Sequence, residues 1–283
     1  MNKKHRILID STVYLSKDII AENEIEVVSL NVTDGTKTYP EVTVDNNFIW
    51  QKQDEGVNWK TSQPAPGDFL KTYQKLLDEG AEYIFCVLLS KEISGTYQSA
   101  LLAKNMLEEP EKVILFDTQL CAYATEMIAM ELIDMVNKDL PKDSIIERIE
   151  KIISTSKQMF TVENLFSLTK GGRLSVAKAA IGTVLRIKPV IEVRSGKLEL
   201  VKSERTLRKI FDYFVNQAKK SLEGHSSITF YITSQNSLET AIKLKERLLA
   251  EFPGSKLTFT EYLGPVFSIH VGKKGFGFSY FVE

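Results

Sequence analysis

Lys170-Gly171-Gly172-Arg173 places one arginine behind two adjacent glycines, inside a hydroxyl-rich stretch that runs from Phe166 to Ser175. Without Cβ atoms the glycine pair permits a tight turn and lets backbone N–H groups come close to a bound group. Arg173 adds a permanently charged planar fork suited to a carboxylate or a phosphate. Taken alone, the stretch is an anion hook. Further polar groups stand beside strand or helix ends: Asp10-Ser11-Thr12, Thr61-Ser62-Gln63-Pro64, Ser90 with Ser94-Gly95-Thr96, and His270 within Gly264 to Gly272. Ser94 to Thr96 directly precede a helical stretch, where hydroxyls, amides and partial positive charge favour an anion. Each has a plainer role as well: Ser94 or Thr96 as a helix cap, Asp10-Ser11 as a turn, Thr61-Ser62 as a locally bonded loop, and His270 as a structural histidine.

Familiar catalytic patterns are missing. There is no Walker-type Gly-Lys-Ser/Thr, no Gly-x-Ser-x-Gly and no His-Glu-x-x-His. His5, His225 and His270, with Cys86 and Cys121, are too few for an expected His/Cys metal cluster. Ser94, His270 and an aspartate supply the residue types of a hydrolase triad, a reading that geometry decides.

These residues need a frame to hold them. With 283 residues, 43% hydrophobic and 26% charged, the chain reads as two globular domains. A net charge of −1 excludes an electrostatic nucleic-acid binder. No apolar run reaches the roughly 18 residues of a membrane span. The charged start Met1 to Arg6 gives way to only Ile7-Leu-Ile before Asp10, so a signal peptide is not expected and a cytoplasmic location is. Two unpaired-looking cysteines fit a reducing compartment.

Strand-like runs at Arg6–Ile9, Glu26–Val32, Tyr83–Leu89 and Lys112–Phe116 alternate with helical stretches at 68–79, 95–107, 125–137 and 144–156. Unbroken apolar strands between helices predict a mostly parallel sheet covered on both faces. Residues 34–67 are polar and aperiodic, and are expected as a long excursion over the strand ends. Beyond a boundary near residue 158 the pattern changes to α+β. A small-residue helix is expected at Ala177–Leu185 and a hairpin across Arg194–Lys197, followed by helices at 205–221 and 238–252 and strands at 227–233 and 256–260.

Taken in order, the clusters resemble the DegV family, whose members include the fatty-acid-binding FakB subunits of bacterial fatty acid kinase. The resemblance spans nearly the whole chain. It rests on Asp10-Ser11-Thr12, Thr61-Ser62-Gln63-Pro64, Ser94 to Ala100, Asp117-Thr118, Lys170 to Ser175, Lys188-Pro189, Arg205-Thr206, Gly264-Pro265 and His270-Val271-Gly272. The chain departs from the usual pattern at Val13–Lys17, Cys121–Ala124 and Lys273-Lys274.

The resemblance implies an α/β protein of two domains, 1–158 with a mostly parallel sheet and 159–283 of α+β type, with a lipid tunnel near their interface. It implies a long-chain fatty acid whose head group meets Thr61, Ser62 and Ser94, with Arg173 and His270 beside them; Thr96 joins this set from the Ser94-Gly95-Thr96 helix start. Arg205 is the candidate contact for a partner, the ATP-dependent kinase subunit that phosphorylates the carboxylate. On this reading the chain has no catalytic residue, metal or cofactor of its own and carries acyl-phosphate toward phospholipid synthesis, with at most transient membrane contact. Apolar candidates for the tunnel are Phe160, Leu165, Phe166, Ala177–Leu185, Val190, Ile191, Val266 and Phe267. Each buried CH₂ contributes about 0.8 kcal/mol, so a long chain gains much from such a tunnel. Two other readings stand beside it: a serine hydrolase or acyl transferase using Ser94 and His270, and a surface-interaction protein whose lipid is only structural.

Overall fold

A computed structural model describes residues 4–163, 165–174 and 187–283. The first half runs β1 (His5–Asp10), α1 (Lys17–Glu22), β2 (Glu26–Val28), β3 (Asn31–Thr33), β4 (Thr38–Pro40), α2 (Asn46–Asp54), β5 (Lys60–Ser62), α3 (Pro66–Asp78), β6 (Tyr83–Leu88), α4 (Thr96–Lys104), β7 (Val113–Asp117), α5 (Tyr123–Asn137) and α6 (Lys142–Thr155). The second half continues with β8 (Lys157–Val162), α7 (Phe166–Lys170), β9 (Lys188–Arg194), β10 (Lys197–Glu204), α8 (Leu207–Leu222), β11 (Ile228–Gln235), α9 (Leu238–Glu251), β12 (Lys256–Thr260), α10 (Pro265–Val271) and β13 (Gly275–Val282).

The first sheet is parallel throughout, in the order β2-β1-β6-β7. Its strands are apolar without interruption because both faces are covered. Leu8, Ile84, Cys86 and Leu88 pack on Phe69, Tyr73 and Leu76 of α3 and on Ala100 and Ala103 of α4. The alternate residues Ile7, Ile9, Phe85 and Val87 face Met127, Ile128 and Leu132 of α5. The second sheet, in the order β10-β9-β8-β13-β11-β12, is antiparallel except for β11 with β12. Helices α8 and α9 cover one of its faces. Its other face meets α5, which also contacts β1 and β6, so one helix serves both sheets. A single core accordingly joins Ile7 and Val87 to Ile191, Tyr231 and Phe281.

The structure departs from the expected elements at several places. The run Glu26–Val32 is two strands in different sheets: Leu30 N–H donates to Ser11 Oγ, and β3 turns away to pair antiparallel with β4 and β5. The polar excursion 34–67 is thus folded. Its widely spaced Ile49 and Trp59 form a core with Leu30 and Val32 that Val266 and Ile269 of α10 complete. His270 lies on that helix rather than in a loop. Two strands without an expected counterpart, β8 and β13, run side by side through the second sheet. The hairpin at Arg194–Lys197 turns at Ser195 and Gly196, both with positive φ (46° and 79°), as a two-residue hairpin loop requires. The helix expected at Ala177–Leu185 lies outside the described residues. Among the described residues no helix is long and apolar enough to cross a membrane.

Candidate functional site

Residues from β5, the loop before α4, the turn after α7, and β8, β10 and α10 converge on a pocket with about 510 Å³ of empty space. Thr61, Ser62, Ser94, Arg173 and His270 line it, with Phe160, Leu198, Phe267 and Val271 among its apolar walls. Most of the polar residues singled out in the sequence are therefore gathered in one place, although they come from both halves of the chain.

His270 Nε2 lies 2.8 Å from Thr61 Oγ1. Burial lowers the imidazole pKa to about 4, and the neighbouring Arg173 guanidinium pushes the same way, so the ring is neutral at ordinary pH. In the tautomer with hydrogen on Nε2, the Thr61 hydroxyl hydrogen is left for an oxygen in the pocket. The paired glycines have separate reasons. A Cβ on Gly171 would come within 2.8 Å of His270 Nδ1, so the turn can approach the ring only without a side chain. Gly172 takes φ +73°, a left-handed conformation that glycine adopts without strain. Arg173 Nη1 donates to Gly171 O at 2.6 Å, so the arginine braces this turn while also lining the pocket.

Ser94 is held from behind. Its Oγ is 2.9 Å from Thr96 Oγ1 and accepts from Thr96 N, so Ser94 also takes the helix-start role. Thr96 is fully buried and is not among the pocket-lining residues; it supports Ser94 rather than facing the cavity. The Gln63 side-chain amide packs directly over Gly95, bringing the Thr61–Gln63 loop against the Ser94 loop.

Other polar residues from the sequence reading are committed to the frame. Asp10 accepts from Thr12 N, Thr12 Oγ1 and Leu89 N. Ser90 Oγ donates to Gly196 O at 2.8 Å, tying the β9–β10 hairpin to the end of β6. Ser11 Oγ and Tyr14 Oη both donate to the buried Glu41, which also accepts from Val266 N at the start of α10. Burial pushes the Glu41 pKa up to about 7 against these three bonds, which favour its anion. Glu41 escaped the sequence reading because nothing local marks a residue whose partners lie at the Ser11–Tyr14 turn and at the start of α10.

Phe160, Phe267 and Val271 are shared with a narrow, almost wholly apolar chamber. Its walls include Cys121, Ala122, Tyr123, Thr233, Phe276 and Gly277. The pattern Gly275-Phe-Gly-Phe-Ser279 carries a legible signal for this space, since its small residues alternate onto one face of β13. On the outer side, Thr61, Arg173 and His270 also border an open cavity of about 1070 Å³ that contains Asn58, Lys60, Phe166 and Lys170. Of the expected tunnel residues, Phe160, Val266 and Phe267 line the pocket, whereas Phe166 is 62% exposed and Val190 faces α8 in the other core. Arg205 is exposed in a separate groove with Lys188 and Lys274, away from the head-group residues. Ser94 and His270 are not hydrogen-bonded to each other, their side chains being paired with Thr96 and Thr61.

Fold and site together define a three-sheet protein with an apolar chamber beside a hydroxyl-, imidazole- and guanidinium-lined pocket. A family model described as "Uncharacterised protein, DegV family" matches residues 4–283, and the chain belongs to that family. A DegV domain-containing protein of Listeria monocytogenes is 31% identical over 286 residues, covering all of both chains. A fatty-acid-binding DegV family protein of Thermus thermophilus superposes with a TM-score of 0.90 at 27% identity, over 99% of this chain and all of the other. DegV of Bacillus subtilis, a fatty acid binding protein, gives 0.83 at 25% identity over 99% and 100%.

Proposed function

We propose that this protein binds a long-chain fatty acid, presents its carboxylate to a separate ATP-dependent fatty acid kinase, and carries the acyl-phosphate toward phospholipid synthesis in the cytoplasm. The observation that carries this reading is the adjacency of the apolar chamber to the donor-lined pocket, with Phe160, Phe267 and Val271 as walls common to both. An acyl tail gains about 0.8 kcal/mol per buried CH₂ there. A carboxylate leaving water needs replacement donors, and Thr61, Ser62 and Ser94 supply them beside the Arg173 charge, with neutral His270 orienting the Thr61 hydroxyl. The outer cavity with Lys60, Lys170 and Arg173 gives a phosphoryl donor access to the same group from solvent. Arg205, in its exposed groove, is available to a protein partner. Fatty-acid binding in the Thermus thermophilus and Bacillus subtilis relatives supports the ligand class. No cofactor of the chain's own enters this scheme.

Solvent extraction of the purified protein followed by mass spectrometry is the direct test. A long-chain fatty acid should be recovered; its absence, with no binding of added fatty acid, refutes the reading. With ATP and a bacterial fatty acid kinase subunit, Ser94→Ala, Arg173→Ala and His270→Ala should each slow phosphorylation of the bound acid. Full transfer by all three would remove these residues from the site. Turnover of activated acyl esters that disappears in Ser94→Ala would instead favour the hydrolase reading, which the pairing of Ser94 with Thr96 and of His270 with Thr61 disfavours.

A further inference from the structure

Thr233 stands on β11 in register with Gly277 of β13 and is 1% exposed. Strand alternation puts it on the same side as Tyr231, which packs in the core between the sheets, and opposite to Ile232, which faces α8 and α9. Thr233 lines the apolar chamber, and its Oγ1 is buried without a hydrogen-bond partner. Two neighbouring polar side chains of the chamber, Gln158 and Tyr123, are engaged with the backbone. Gln158 accepts from Cys121 N and donates to Cys121 O, and Tyr123 Oη donates to Met159 O. An ordered water needs two to four polar partners, and among the described residues this wall is almost wholly apolar. Valine has nearly the same shape and would fill the position without stranding a hydroxyl, so the buried oxygen points to a partner brought in by the ligand.

We propose that the chamber is selective for an oxygenated acyl chain: a long-chain fatty acid bearing a hydroxyl or keto oxygen along its tail, which pairs with Thr233. The proposal rests on the fatty-acid reading above and names the chemical class within it. A plain chain fills the same space but leaves the hydroxyl unpaired.

The test measures binding of stearic acid, 10-hydroxystearic acid, 12-hydroxystearic acid and 16-hydroxyhexadecanoic acid to the delipidated full chain, in wild type and in the near-isosteric Thr233→Val. One net hydrogen bond corresponds to about five-fold in affinity. Wild type should bind at least one hydroxy acid about five-fold or more tighter than stearic acid, and Thr233→Val should bring that ratio close to one. Circular dichroism of the variant checks that it is folded. Equal or weaker binding of every hydroxy acid by wild type overturns the proposal while leaving fatty-acid binding intact, and so does a preference that survives in the variant. Failure of all four acids, stearic acid included, overturns the fatty-acid reading and the proposal with it.

Discussion

The Thr61–His270 contact is the most exposed to test at the residue scale, because both partners face the pocket and each is the other's recorded bond. Thr61→Val and His270→Gln should each weaken fatty-acid binding by about ten-fold, the magnitude of one hydrogen bond to a charged group. The double variant should fall well short of a hundred-fold, since the two act as a unit. Displacement of a fluorescent fatty acid reads all three, and full additivity would show that the residues act separately. His270 also makes a pH prediction. Its folded pKa, about 4, lies below the ordinary 6.5, so between these values the unfolded chain holds the extra proton. Its contribution to stability is therefore intact above about pH 6.5 and is lost as pH falls toward 4. Urea unfolding of wild type and His270→Gln should give a stability difference that is flat from about pH 8 to 6.5 and shifts against wild type below that. Glu41 and Glu126, both raised by burial to about 7, have the opposite slope, and the subtraction removes them.

Among the elements, β13 bounds the apolar chamber through Gly275, Phe276 and Gly277. Gly277 lies where a Cβ would strike the Tyr123 hydroxyl and approach Phe160 Cβ within 2.8 Å. Gly277→Ala should destabilise the fold by about 1–3 kcal/mol through overpacking and reduce binding of long acids more than of medium ones. A chain-length series by calorimetry checks it; equal losses at every length would mean that Gly277 does not bound the chamber. The sequence revealed the elements unevenly, and the reasons are local. Strands β1, β6 and β7 were legible because their apolar runs are continuous, and α3, α5, α8 and α9 because their apolar residues recur at helical spacing. The excursion around Ile49 and Trp59 was not, because its core is completed by α10 from the far end of the chain. The site followed the same rule. Short motifs such as Thr61-Ser62 and Gly171-Gly172-Arg173 pointed to it directly, whereas Glu41, Tyr123 and Thr233 acquire their roles only from neighbours distant in sequence.

For the molecule as a whole, α5 between the sheets and the common core from Ile7 to Phe281 imply one cooperative unit. Trp50 and Trp59, the only tryptophans in the sequence, both belong to the small first-half layer that packs on α10. Tryptophan fluorescence and far-ultraviolet circular dichroism should therefore give coincident urea transitions. Two separated midpoints would show that the halves unfold independently. Hydrogen bonds reinforce the union, from Ser90 to Gly196 and from Val266 to Glu41.

The self-paired head-group site has a consequence for which acids the protein meets in a cell. Thr61 is already bonded to His270, Ser94 to Thr96, and Arg173 to Gly171 O. An arriving carboxylate meets the same held donors whatever its chain length, so discrimination falls to the tail. At about 0.8 kcal/mol per CH₂, every carbon added to the buried chain changes affinity by about four-fold. On the fatty-acid reading, acetate and other nearly tailless acids would leave the site empty for long chains.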